Sequence, residues 1–314
     1  MAERETLSLS FVSLLATDKI KLPGLLYQPD SKTRKAAVWL HGMGDNGAFY
    51  NPERINTLGE ALAKNDVALL AFNNRGAHNR KGLHIADETL PEEDQHFLGG
   101  THYELIADCV KDIDGAAEFL KDQGFSELYL MGHSTGANKI CAYHVRAKKN
   151  PFKKYVLAGP GDDVGLFFTD LGEKRYWQAL KYAAAKTDQG DPLHTMPKYT
   201  GMYPFSAQSA HDILDPDGAY NTCPYYEASR ERLGKKPLFD EYRKIDKPTL
   251  VIFGQDDEFM GELGAEGALK LLMKHTSNAQ LKQADFMTVA GADHGFHDHE
   301  QEFAEKVRDW LAYE

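Results

Sequence analysis

Two hydrophobic rhythms alternate along this chain of 314 residues. Short aliphatic and β-branched runs, the length of buried strands, occupy 36–40, 67–72, 128–131, 155–158, 249–253 and 286–289. An opening pair of strands is predicted at 8–15 and 22–27, interrupted by Asp18 and Lys19. Between these runs the apolar residues fall at helical spacing. One helix is predicted over 52–64, with proline in its first turn. A second covers 103–121, where Leu105, Ile106, Cys109, Val110, Ile113, Ala116, Ala117 and Leu120 form one stripe before Gly124 ends it. Others are predicted over 137–146, 263–273 and 300–311. Strands alternating with helices imply a mostly parallel sheet covered on both faces, an α/β architecture.

From 160 to 247 the rhythm stops. This stretch holds seven of the thirteen prolines and many aromatics, Phe167, Phe168, Trp177, Tyr203, Phe205, Tyr225 and Tyr226 among them. So long a span without sheet strands predicts a functional insertion. We expect a lid with helices near 174–185 and 207–214, in which Phe167, Phe168 and Trp177 line an apolar acyl or alcohol pocket. The chain then divides into a core of 1–159, an inserted lid of 160–247 and a second core segment of 248–314.

The chemistry concentrates in Gly132-His133-Ser134-Thr135-Gly136, which joins a strand-like run to a helix-like one. That is the setting of a G-x-S-x-G nucleophile elbow, a sharp turn that lifts a serine hydroxyl above the sheet edge. A serine needs a base, and His294 follows the strand at 286–289 and precedes the last helix. The base needs an acid, and Asp256 and Asp257 follow the strand at 249–253. The order Ser, Asp, His suits this architecture.

With His41-Gly42 after the third strand, these turns make the chain resemble the α/β-hydrolase superfamily over nearly its whole length. The resemblance implies an eight-stranded sheet, and it selects Asp257, the third residue after Gly254, as the acid. It implies an oxyanion hole from the backbone N–H groups of Met43 and Thr135. It further implies hydrolysis of a carboxylic ester or thioester through an acyl-enzyme, with a small acyl substrate and no cofactor. Carbon–carbon bond cleavage, acyl transfer to an alcohol, or a non-catalytic ligand receptor on the same fold are the alternatives. The segment 98–104 also resembles a little-characterised group of microbial hydrolases, which carries no substrate. One departure stands out: many relatives carry an acidic residue before Arg-Gly, whereas this chain reads Asn73-Asn74-Arg75-Gly76.

Composition narrows the partners. A net charge of −11 argues against nucleic acid and anionic membranes. No apolar run approaches the roughly 20 residues that span a bilayer, and no secretory signal is expected. Cys109, Cys141 and Cys223 are too far apart for a zinc motif or disulfide framework, which fits a cytoplasmic protein. Gly42, Gly44 and Gly47 spell G-x-G-x-x-G but do not open a helix directly, so no dinucleotide is expected. Asp293, His294, His297, Asp298 and His299 invite a metal, yet His294 is already needed as base, and no metal is expected. Arg75, His78, Arg80 and Lys81 are expected to form a solvated loop.

Overall fold

The computed structural model describes residues 7–44, 47, 49–197, 204–276 and 283–313. Its first strands are β1 (Leu7–Leu15), β2 (Lys21–Pro29), β3 (Lys35–Leu40) and β4 (Val67–Phe72). A short pair, β5 (Lys81–His84) and β6 (His96–Gly99), stands apart as an antiparallel ribbon. The remaining strands are β7 (Glu127–His133), β8 (Phe152–Ala158), β9 (Thr249–Gly254) and β10 (Ala284–Val289). Eight of them build one sheet in the order β1-β2-β4-β3-β7-β8-β9-β10. Only β1 with β2 and β2 with β4 run antiparallel; every later neighbour is parallel.

Helices cover both faces, which is why β4 and β9 are buried at every position and read as unbroken apolar runs. The two-residue period still decides which face each side chain serves. Ala36, Val38 and Leu40 join the core beneath α2 (Cys109–Asp122) and α3 (Thr135–Arg146). Ala37 and Trp39 join the opposite core with Ile55 and Leu58 of α1 (Pro52–Ala63). The connection between β8 and β9 carries α4 (Asp163–Leu171), α5 (Glu173–Asp188), α6 (Ala207–Leu214) and α7 (Tyr225–Ser229). Its buried residues, including Tyr176, Phe205 and Ile213, are continuous with the core on the α3 side. Two further helices, α8 (Gly264–His275) and α9 (Glu300–Ala312), flank β10 in sequence. No helix among the described residues is long and apolar enough to cross a membrane.

One expectation needs correction, and two elements were not anticipated. The helix predicted over 103–121 begins at Cys109, because Gly100 turns at φ +100° and Leu105 is extended. That extended segment carries Glu104 into the interior instead of along a helix face. The β5–β6 ribbon was not expected, since four-residue strands leave too short a period to read. Likewise α4 was missed, although Asp162 caps it by accepting the Gly165 N–H at 2.8 Å.

Candidate active site

Strand β7 delivers Ser134 into a backbone conformation that non-glycine residues rarely adopt, φ 56° and ψ −127°. Its N–H is tied to the Ala158 carbonyl at 2.8 Å, so the turn is held by the neighbouring strand. The flanking glycines are demanded by contact. A Cβ on Gly132 would lie 2.4 Å from the Gly136 carbonyl oxygen, and one on Gly136 would lie 2.3 Å from that of Leu40. The serine is therefore presented at the C-terminal edge of the sheet, immediately before α3.

Strands β9 and β10 bring the other two groups together. Asp257 is buried, whereas Asp256 is exposed. The Asp257 carboxylate accepts the Phe259 N–H on Oδ1 at 3.0 Å and faces His294 Nδ1 from Oδ2 at 2.8 Å. With Nδ1–H donated to this carboxylate, the lone pair of the neutral ring sits on Nε2. The histidine loop is fixed from two sides: Glu258 Oε2 accepts the His294 N–H at 3.0 Å, and His133 Nε2–H donates to the His294 carbonyl at 2.7 Å. Its ring lies between those of Phe259 and His133, with centroids 4.6 and 4.7 Å away. Burial holds His133 neutral, its pKa well below the usual histidine value.

Ser134 and His294 line one cavity of about 300 Å³, together with Met43 and Thr135. Among the described residues no hydrogen bond joins the serine hydroxyl to the imidazole, although both residues line this cavity. The β8–β9 connection supplies one wall through α4, with Asp163, Leu166, Phe167 and Asp170. Asn138 of α3 anchors the start of that wall, exchanging hydrogen bonds with the Gly161 N–H and carbonyl at 3.1 and 2.9 Å. Of the three aromatics expected in the pocket, only Phe167 reaches it. Phe168 turns away to pack on Tyr176, Trp177 and Tyr226, and Trp177 lies at the surface. A helix shows its cavity only one stripe, and residues 167 and 168 cannot share it.

Several charged groups around this cavity escaped the sequence reading. Asp163 Oδ2 is buried without a hydrogen-bond partner, and burial raises the carboxyl pKa to about 6. Arg54 of α1 also lines the cavity; it is 2 % exposed, and burial lowers its pKa to about 10. A signal for each was present. Arg54 stands four residues before Leu58 on the apolar face of its helix, where a solvated arginine would not be placed. Asp163 follows the C-terminal end of a parallel strand, the edge where α/β sheets hold ligands.

The loop 73–76 also differs from expectation. Arg75 is not solvated: it is 2 % exposed and pairs with buried Asp112 at 2.7 Å and with Asp18 at 3.0 Å. Arg80 bonds Thr195 at 3.1 Å. Asn74 gives its N–H to His41 Nε2 at 3.2 Å. Its Oδ1 accepts from the buried ammonium of Lys139 at 3.3 Å. Glu104 supplies the matching charge to Lys139 at 2.6 Å, so an amide at 74 leaves the lysine paired. Burial and Lys139 lower His41 to about 3, and the neutral ring links the Gly42 carbonyl, at 2.7 Å from Nδ1, to the Asn74 loop. Downstream of His294, His297 pairs with Asp293 at 2.7 Å.

Solved structures share this architecture at low identity. An esterase of Pyrococcus furiosus is 15% identical with a TM-score of 0.56, covering 99% of this chain and 92% of its own. Est1E from Butyrivibrio proteoclasticus, with ferulic acid bound, is 15% identical at a TM-score of 0.60, covering 95% and 97%. The esterase domain of a Rhodothermus marinus protein is 16% identical at 0.57, covering 97% and 98%. None of the curated proteins matches the sequence. The family match spans residues 37–306, from β3 through α9, and takes in the elbow, the acid turn and the histidine turn: the chain belongs to the alpha/beta hydrolase family.

Proposed function

We propose that the protein hydrolyses carboxylic esters through an acyl-enzyme on Ser134. The observation that carries this reading is the Asp257–His294 hydrogen bond, 2.8 Å long, at a cavity into which the elbow presents Ser134. That the similar solved structures are esterases agrees with it. His294 Nε2 takes the proton from Ser134 Oγ as the oxygen attacks the acyl carbon, and Asp257 stabilises the imidazolium. The N–H groups of Met43 and Thr135 receive the developing oxyanion, each contributing on the order of 3 kcal/mol to the barrier reduction. His294 then protonates the departing alcohol, and a water it activates releases the acid. The insertion 160–247 acts as a lid, and its α4 sets the cavity wall through Leu166 and Phe167.

Labelling with a fluorophosphonate, combined with turnover of a 4-nitrophenyl ester series, tests this directly. Wild type labels and turns over. Ser134→Ala neither labels nor retains more than about one part in 10⁴ of kcat. An intact wild-type protein that stays unlabelled removes the proposal.

A further inference from the structure

Arg54 is a buried cation in the nucleophile's own cavity, and most of its hydrogen-bonding capacity is unspent. Nη1 donates to the Gly295 carbonyl at 3.0 Å, while Nε and Nη2 are buried with no hydrogen-bond partner among the described residues. The guanidinium also lies 5.8 Å from the Trp39 ring centroid, a contact that orients the fork. Its nearest acids in charge, Glu300 and Asp293, act on it only through space and form no ion pair with it. A fixed fork with two free N–H groups matches a carboxylate.

Position says which part of the substrate carries that carboxylate. Gly295 directly follows His294, so Arg54 is anchored on the histidine side of the cavity. In acyl transfer the histidine hands its proton to the departing oxygen, which places the alcohol portion on that side. Two of the acids lining the cavity, Asp163 and Asp170, belong to α4, while Glu258 on the histidine side already accepts the His294 N–H at 3.0 Å. Like charge on α4 repels an anion toward Arg54.

We propose that the substrate is an ester of a carboxylate-bearing alcohol, with that carboxylate seated on the Arg54 guanidinium. This rests on the esterase reading above. In the first step Ser134 Oγ bonds to the acyl carbon and the ester C–O bond breaks. The serine proton passes through His294 to the alcohol oxygen, releasing a hydroxy acid as its carboxylate. Water then replaces Ser134 on the acyl carbon by the same proton route.

Three acetate esters with one propyl linker test it on the wild-type protein: 4-acetoxybutanoate, 4-methylpentyl acetate and (3-acetoxypropyl)trimethylammonium. The expected kcat/KM is about 10-fold higher for the anionic ester than for the neutral one, with the cationic ester last. In Arg54→Gln the anionic-to-neutral ratio falls to about one, and in Arg54→Lys part of it returns, because the charge survives without the fork. If Arg54→Gln does not fold, competitive inhibition of wild type by 4-hydroxybutanoate but not by 4-methylpentanol carries the same information. Equal turnover of anionic and neutral esters overturns the proposal while leaving the esterase reading intact. Best turnover of the cationic ester overturns it in favour of the α4 acids, and a preference confined to a carboxylate on the acyl part, as in monoethyl glutarate against ethyl 5-methylhexanoate, overturns the placement. Failure of every ester together with absent fluorophosphonate labelling removes both readings.

Discussion

Arg75 and Arg54 are equally buried, at 2 % exposure, and the chain treats them in opposite ways. Arg75 gives Nε and Nη2 to Asp112 at 2.9 and 2.7 Å, and Nη1 and Nη2 to Asp18 at 3.0 Å. Burial alone would lower its pKa, but the two carboxylates together push it above the usual arginine value. Arg54 has one carbonyl, and burial prevails. The difference teaches that this fold can satisfy a guanidinium completely where it serves structure. Where it does not, in the cavity that Ser134 lines, the open valences are a property of the site.

The contrast is broken most forcefully at Asp112. Asp112→Ala leaves Arg75 only partly paired in the interior, and urea unfolding at pH 7 should show a loss of about 3–5 kcal/mol. A loss below about 1 kcal/mol would mean the Arg75 cluster is no more structural than Arg54. Next comes the other unpartnered charge of the cavity. The Asp163 carboxyl has a folded pKa of about 6 against 3.8 for the free group. The folded state therefore binds more protons in that window, and stability falls as pH rises from about 4 to about 6. Asp163→Asn removes the penalty, a gain of up to about 3 kcal/mol at pH 7 and none at pH 3. Parallel pH–stability curves for the two proteins would contradict it. The smallest effect is at Arg54 itself. Arg54→Met gives up one hydrogen bond and relieves two buried unpaired donors, so its stability should stay within about 1 kcal/mol of wild type. A loss like that of Asp112→Ala would make Arg54 a structural residue and erase the distinction.

Much of this molecule was legible before any coordinates. The inner sheet strands could be read because burial on both faces makes each an apolar run, as at Val67–Phe72 and Thr249–Gly254. Gly132 and Gly136 announced the elbow because no side chain fits beside those carbonyls. What stayed hidden depended on direction, which composition does not carry. Phe168 and Trp177 are as aromatic as Phe167, but Phe168 packs on Tyr176 and on Trp177 instead of the cavity. Arg75 looked like one member of a basic loop, because the acids that bury it, Asp18 and Asp112, lie far away in sequence. Asp163 and Arg54 left fainter marks, a place past a parallel strand's end and a place on the apolar face of α1, because a charged residue in a helix is ordinarily solvated.

The length of the β8–β9 connection has an evolutionary consequence. Strands β8 and β9 pair in parallel, Tyr155 with Thr249, and about a dozen residues would bridge such a crossover. This chain spends 159–248 on it, and closing a long connection costs only slightly more than closing a short one, since the entropy grows with the logarithm of length. Ser134, Asp257 and His294 all lie outside that stretch, on turns that neighbouring strands hold in place. Variation along that segment would reshape the cavity wall that α4 supplies while leaving those three turns in place.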